Sequence, residues 1–296
     1  MNSAMVTVGS SEKGSSARKD HAMLSRHILS VFVMLLAAVS TWSPVLAGNF
    51  EEIQERKVII IGAKADYRPF GFLDSAGQLI GMEIDMARAI AERLNVRLET
   101  VPITTANRIE FLRQGRIDLI LATMSDSPKR RETSGVIDPP YYAGGMNVLA
   151  RKSLKLKEWE QLRGRRVCGI LGAYYNRRIA EVYGIQVIAS PGVSEAQADL
   201  RAGNCVAFVQ DSTLIAATLN DPKWMDFEMP LPTIDEQPWV MAVPLAERDG
   251  AFGRFIAQTI IEWHQTGYLI ALEKKWNLPA SPYLQMMHAT YKDASK

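Results

Sequence analysis

Between positions 57 and 122 the apolar residues fall into two spacings. KVIIIG at 57–62 and the run Leu119-Ile120-Leu121-Ala122 have the length and apolar character of strands, and 97–101 is read as a strand between them. Between them lie helical spacings. Met86, Ile90 and Leu94 recur four apart within 84–94, and Ile109 and Leu112 share one face within 105–113, which Gly115 ends. Lys64 to Phe72 reads as an aromatic-rich loop and 74–77 as a turn. The order βαβαβ predicts a parallel sheet with right-handed crossovers, and the unbroken apolar run 119–122 predicts a buried strand within it.

The pattern then repeats. After a loop at 137–145, a strand at 146–150 and a charged connection to Gly164, strands are predicted at 166–171, 186–189 and 205–210, with helices at 174–183, 194–202 and 212–219. Two sequential βαβαβ units mean two similar lobes. A tail follows, with a strand at 240–243 and helices at 253–265 and 269–276, and the pattern alone does not assign it to either lobe. Trp263 and Trp276 are read as core residues. If the first and third strands of a unit are neighbours, Cys168 and Cys205 sit on strands ~4.8 Å apart, within reach of a disulfide.

The first 47 residues read differently from the rest. Arg18, Lys19 and Arg26 precede an apolar run at 28–39, and Val45-Leu46-Ala47 supplies small residues for cleavage, so 1–47 is predicted to be a signal peptide cut near Ala47. Met23 is an alternative start to Met1. The run falls short of the ~20 residues a membrane span needs, which makes a membrane anchor the weaker alternative. No Cys follows for lipid attachment. The segment holds four of the 34 basic and two of the 32 acidic residues, so the remainder balances at thirty of each. That leaves no electrostatic footprint for nucleic acid. Export also fits a paired Cys168–Cys205.

Candidate chemistry gathers where the strand at 119–122 ends. Thr123, Ser125, Asp126 and Ser127 follow the apolar run, and Ser127-Pro128 is a helix start with Ser127 as N-cap. Hydroxyls and a helix N-terminus make an anion site, and Arg130 is placed to hold a carboxylate bidentately. The competing reading is a solvated Arg on an ordinary turn. After residue 47 the only histidines are His264 and His288, both in the tail. No nucleophile elbow, metal-spaced His/Cys cluster or P-loop occurs, so neither a cofactor nor a metal is expected.

GAKADYRPFGF at 62–72, GQLIGMEIDMARAIAERL at 77–94, GRIDLILATMSDSPKRRE at 115–132 and CVAFVQDSTL at 205–214 together resemble the periplasmic solute-binding proteins of polar amino acid ABC transporters, the bacterial extracellular family three. The resemblance runs in order through most of 57–278. It implies two doubly wound α/β lobes joined by two hinge strands, the type II periplasmic binding protein-like fold, with 48–147 plus 240–296 as lobe one and 148–239 as lobe two. It implies a monomeric periplasmic binder that is not an enzyme, with an inner-membrane ABC permease as partner. It places a ligand's α-carboxylate on Arg130, Thr123 and Ser125, its α-ammonium on Asp211, and Tyr67 with Phe70 over it. Lys64 occupies the position where cationic-ligand binders resemble one another in carrying an acid, which favours a ligand side chain with a carboxylate or carbonyl.

The chain also departs from that family. Gly172-Ala173-Tyr174-Tyr175-Asn176 puts two rings where small hydroxyl residues are usual, so Tyr174 joins the candidate ligand contacts and the lobe-two wall is left open. Two other classes stay in view. One is a periplasmic dehydratase-like enzyme, for which Glu83 and Asp85 are the only acids on offer. The other is a ligand sensor that docks to a membrane receptor.

Overall fold

The computed structural model describes residues 49–293. The predicted signal peptide lies outside the described residues. The first sheet holds five strands in the order β5-β1-β6-β14-β7: β1 (Val58–Ala63), β5 (Arg97–Pro102), β6 (Leu119–Ile120), β7 (Gly135–Val136) and β14 (Ala242–Val243). The strand β1 pairs in parallel with β5 and with β6, so the first and third strands of the unit are neighbours. Helix α1 (Met82–Leu94) turns Met86, Ile90 and Leu94 inward, as the four-residue spacing predicts. The tail strand Ala242–Val243 returns to this sheet between β6 and β7.

The second sheet repeats the plan. Strands β9 (Arg166–Ile170), β10 (Gln186–Ser190) and β11 (Ala207–Asp211) are parallel with β9 in the middle. Cys168 and Cys205 are joined in a disulfide, with Cα atoms 5.6 Å apart. Cys205 precedes β11 rather than lying within it, so the bridge ties the lead-in of the third strand to the first.

Two long strands carry the chain between the lobes. β8 (Tyr142–Arg151) begins inside the predicted loop 137–145, and β13 (Ile234–Trp239) was not foreseen at all. They run antiparallel, with Trp239 opposite Tyr142 and Gln237 opposite Gly144. The predicted strand 146–150 is the second half of β8; glycines hid its opening and a charged, Pro-containing IDEQPW hid β13, because both patterns read as loop. Gly144 leaves room for the Trp239 ring, which would lie 2.5 Å from a Cβ there. The predicted loop 64–72 instead forms a three-stranded sheet of β2 (Asp66–Tyr67), β3 (Gly71–Leu73) and β4 (Leu79–Ile80). The tail gains a helix, Pro282–Asp293, and both histidines serve as packing. Nε2 of His264 lies 2.8 Å from the Pro140 carbonyl, and Nδ1 of His288 lies 2.7 Å from the His264 carbonyl.

Candidate functional site

Strand ends converge between the lobes. β6 delivers Thr123 and Ser125, β2 delivers Tyr67, and the helix Pro128–Thr133 delivers Arg130. From the second lobe, β11 ends on Gln210 and Asp211, while the start of the helix Tyr174–Tyr183 brings Ala173, Tyr174 and Tyr175. Thr105 and Arg108 close the side next to β1. The lobes nearly touch here. About 20 Å³ remains among these side chains, room for roughly one water.

Asp211 is the negative pole. It is 3% exposed, and its two oxygens accept the hydroxyls of Tyr67 from lobe one and Tyr175 from lobe two. Burial pushes its carboxyl up to about 7, against the opposing pull of the Tyr67 bond and of Lys64 and Arg108. Burial likewise pushes the Tyr67 hydroxyl well above its usual range, with Asp211 adding to the effect.

Arg130 is the positive pole. Ser127 caps its helix, its side chain accepting the Arg130 N–H at 3.4 Å, and Pro128 opens the first turn. The guanidinium donates to the Ser125 carbonyl and, across the cleft, to the Gly172 carbonyl at 3.4 Å. Burial lowers it to about 10, so it stays cationic at neutral pH. Neither bond satisfies its charge with an anion, and the fork is left able to take a carboxylate.

A second polar cluster lies behind this one. Glu83, fully buried in the first turn of α1, accepts the Thr123 N–H at 2.7 Å and the Tyr141 hydroxyl on Oε1. Its Oε2 has no partner, and burial holds the group at about 7. Thr123 has φ 44°, which aims its N–H backward at Glu83. The Thr123 N–H is therefore already used within the protein, and at this residue the hydroxyl is what remains to face the cleft. Arg108 donates to the Ala122 carbonyl at 2.8 Å while its buried Nε has no partner.

Of the residues singled out from sequence, Tyr67, Thr123, Ser125, Arg130, Tyr174 and Asp211 line this space. Lys64 and Phe70 do not. Lys64 is 2% exposed and donates to Thr105 Oγ1 at 2.7 Å, and burial, then Arg108, lowers it to about 8. Phe70 packs edge-on against Trp239 and Tyr142, with centroids 4.9 and 5.4 Å away, as part of the core beneath the hinge strands. Thr105, Arg108, Tyr175 and Gln210 were not singled out as contacts. Arg108 sits on an otherwise ordinary amphipathic helix, where an Arg reads as solvated. Tyr175 was noted only as bulk beside Tyr174.

The chain is 26% identical over 230 residues to the ABC transporter glutamine-binding protein of Bacillus subtilis, covering 76% of this chain and 82% of that one. A crystal structure of a mutant of ArgBP from T. maritima superposes with a TM-score of 0.71 at 28% identity, covering 77% of this chain and 98% of the other. An ancestral amino acid-binding protein described as a precursor of cyclohexadienyl dehydratase superposes with a TM-score of 0.67 at 26% identity, with 77% and 98% covered. Both neighbours share the two-lobed α/β fold seen here. Residues 59–279 match the family model of the bacterial extracellular solute-binding proteins, family 3, and the chain belongs to that family.

Proposed function

We propose that the protein is the exported receptor of an ABC importer and binds a small amino acid or a similar zwitterion between its lobes. The α-carboxylate is held by Arg130 with Thr123 and Ser125, the α-ammonium by Asp211, and the ring of Tyr67 covers the ligand. The observation that carries this reading is one of placement. A buried guanidinium from lobe one and a buried carboxylate from lobe two line the same narrow space. A zwitterion that bridges them favours the closed arrangement, because each end needs a different lobe.

Arg108, with its unpartnered Nε, lines this space together with Thr105, which accepts from Lys64, so a ligand side chain ending in a carboxylate or carbonyl suits this cleft best. An amino acid is several times larger than the space present, so entry requires the lobes to part. A thermal-shift screen over amino acids and small carboxylates tests the reading: the ligand raises the melting temperature, and micromolar affinity corresponds to about 8 kcal/mol. No shift with any of them defeats it.

One observation favours a second reading. Asp211 is a buried carboxyl held at about 7, which suits a general acid in a dehydratase-like reaction. Incubation with prephenate, followed for turnover, separates the two.

A further inference from the structure

The lobe-two helix Val193–Ala202 starts without a cap of its own. Its N-cap is Gly192, which has no side chain to offer the first-turn N–H groups. The acceptor comes from the other lobe. Asp66, on the short strand beside Tyr67, accepts the Val193 N–H on Oδ2 at 2.7 Å. Gly192 has φ −142°, a conformation any residue adopts, so glycine is not required there by the backbone. It is required by proximity, because a Cβ on residue 192 would lie 2.6 Å from Asp66 Oδ2. Glu195 Oε2 would lie 2.7 Å from the same Cβ, but it is the free end of a long side chain that swings aside.

We propose that Asp66 is a positioning residue for lobe closure: it caps a lobe-two helix from lobe one and so stabilises the closed arrangement without touching the ligand. Asp66 is not among the residues that line the cleft. Its strand moves with lobe one and the helix with lobe two, so the bond exists only when the lobes are together. The residue therefore acts on opening, and its effect does not depend on which solute is carried.

The test uses the purified protein and the variants Asp66→Ala, Asp66→Asn and Gly192→Ala, plus the double variant. Hydrogen exchange at Val193 and small-angle scattering are measured with and without a mixture of the standard L-amino acids. Asp66→Ala speeds exchange at Val193 by roughly 3- to 30-fold, the range a helix cap supplies, and raises the radius of gyration. Asp66→Asn keeps the acceptor oxygen and restores both. Gly192→Ala opens the lobes when Asp66 is present and adds little once Asp66 is Ala, because its obstacle is gone. A role confined to the small sheet would instead disturb exchange within lobe one and leave Val193 unchanged. Equal Val193 exchange and equal radii in wild type and Asp66→Ala, in both conditions, overturn the proposal. Should Asp66→Ala fail to fold, Gly192→Ala decides by the same two readings. A mixture that alters neither scattering nor melting of the wild type defeats the amino-acid reading, while exchange at Val193 still decides the role of Asp66.

Discussion

Ligand affinity is expected to rise with pH up to about 7 and then level off. The cause is Asp211. Its carboxyl sits at about 7 in the folded protein against an ordinary 3.8, because burial disfavours the charged form. An ammonium needs it ionised, so binding releases a proton wherever the free protein still holds one. At about pH 5, two units below that value, roughly 1% of the free protein is ready. Affinity should then be about 100-fold weaker than on the plateau, or about 2.7 kcal/mol. The sign for folding is the reverse. Because the folded value is raised, the folded state keeps its proton between about 4 and 7 while the unfolded state loses it. Stability of the free protein therefore falls across that window as pH rises and is flat above it. Glu83, raised to about 7 by burial, adds to the stability slope but accepts only protein donors. Lys64, lowered to about 8, loses charge only above the window. Calorimetric titration of the best solute from the screen, between about pH 5 and 8 in buffers of different ionisation heat, reads affinity and proton release together. Asp211→Asn should remove the slope and Glu83→Gln should leave it. Affinity that is flat across the range, or stronger at low pH, would refute the argument.

Three further outcomes are expected. Arg130→Ala should weaken binding on the order of 100-fold, the value of a charged hydrogen-bonded pair in a dry cleft, with little change in melting because Arg130 holds only two carbonyls within the protein; an unchanged Kd removes the carboxylate assignment. Replacing Cys168 and Cys205 together by Ser opens a loop of sequence separation 37, which costs about 4 kcal/mol by the chain-entropy model and should lower Tm by roughly 10 °C in a scan. Gly144→Ala puts a methyl 2.5 Å from the Trp239 ring and 3.1 Å from Asp211 Oδ1; about 1–3 kcal/mol of overpacking should appear as a lower unfolding midpoint in denaturant, together with altered Trp fluorescence.

How much of this was legible depended on whether a residue's role is local. The strands 57–62 and 166–171 and the helix 84–94 announce themselves because one face of each is apolar at a fixed period. Ser127-Pro128 announces a helix start for an equally local reason. The hinge strands do not. Tyr142–Arg151 opens with Ala143-Gly144-Gly145, and Ile234–Trp239 is IDEQPW. The apolar half of the first is predicted, as the strand 146–150, and pairs with Ala207–Asp211, but its Gly-rich opening and IDEQPW lie against each other, and pairing between residues so far apart leaves no trace in either stretch. The same holds in the site. Arg130 stands out because a cation in the first turn of a helix runs against the dipole. Arg108 occupies an unremarkable place on a helix, and its burial goes with a tertiary contact, its donation to the Ala122 carbonyl, that its own segment does not reveal.

Under the proposed zwitterion reading, the closed arrangement around Asp211 bears on affinity as much as the contacts do. It already accepts hydroxyls from Tyr67 and Tyr175, one on each oxygen. An incoming ammonium therefore does not meet a bare carboxylate. It exchanges with at least one tyrosine, and Tyr175, on the lobe-two helix, is the one to exchange under the proposed arrangement, in which Tyr67 stays over the ligand. The gain at Asp211 is then a difference between two charge-assisted bonds, smaller than the roughly 1.5–3 kcal/mol of a single one. Arg130 has no such competitor, since its protein partners are carbonyls rather than anions. Discrimination between an amino acid and the corresponding acid without its ammonium should accordingly be weaker than discrimination against a ligand that lacks the carboxylate. A Tyr175→Phe change should widen the first without touching the second.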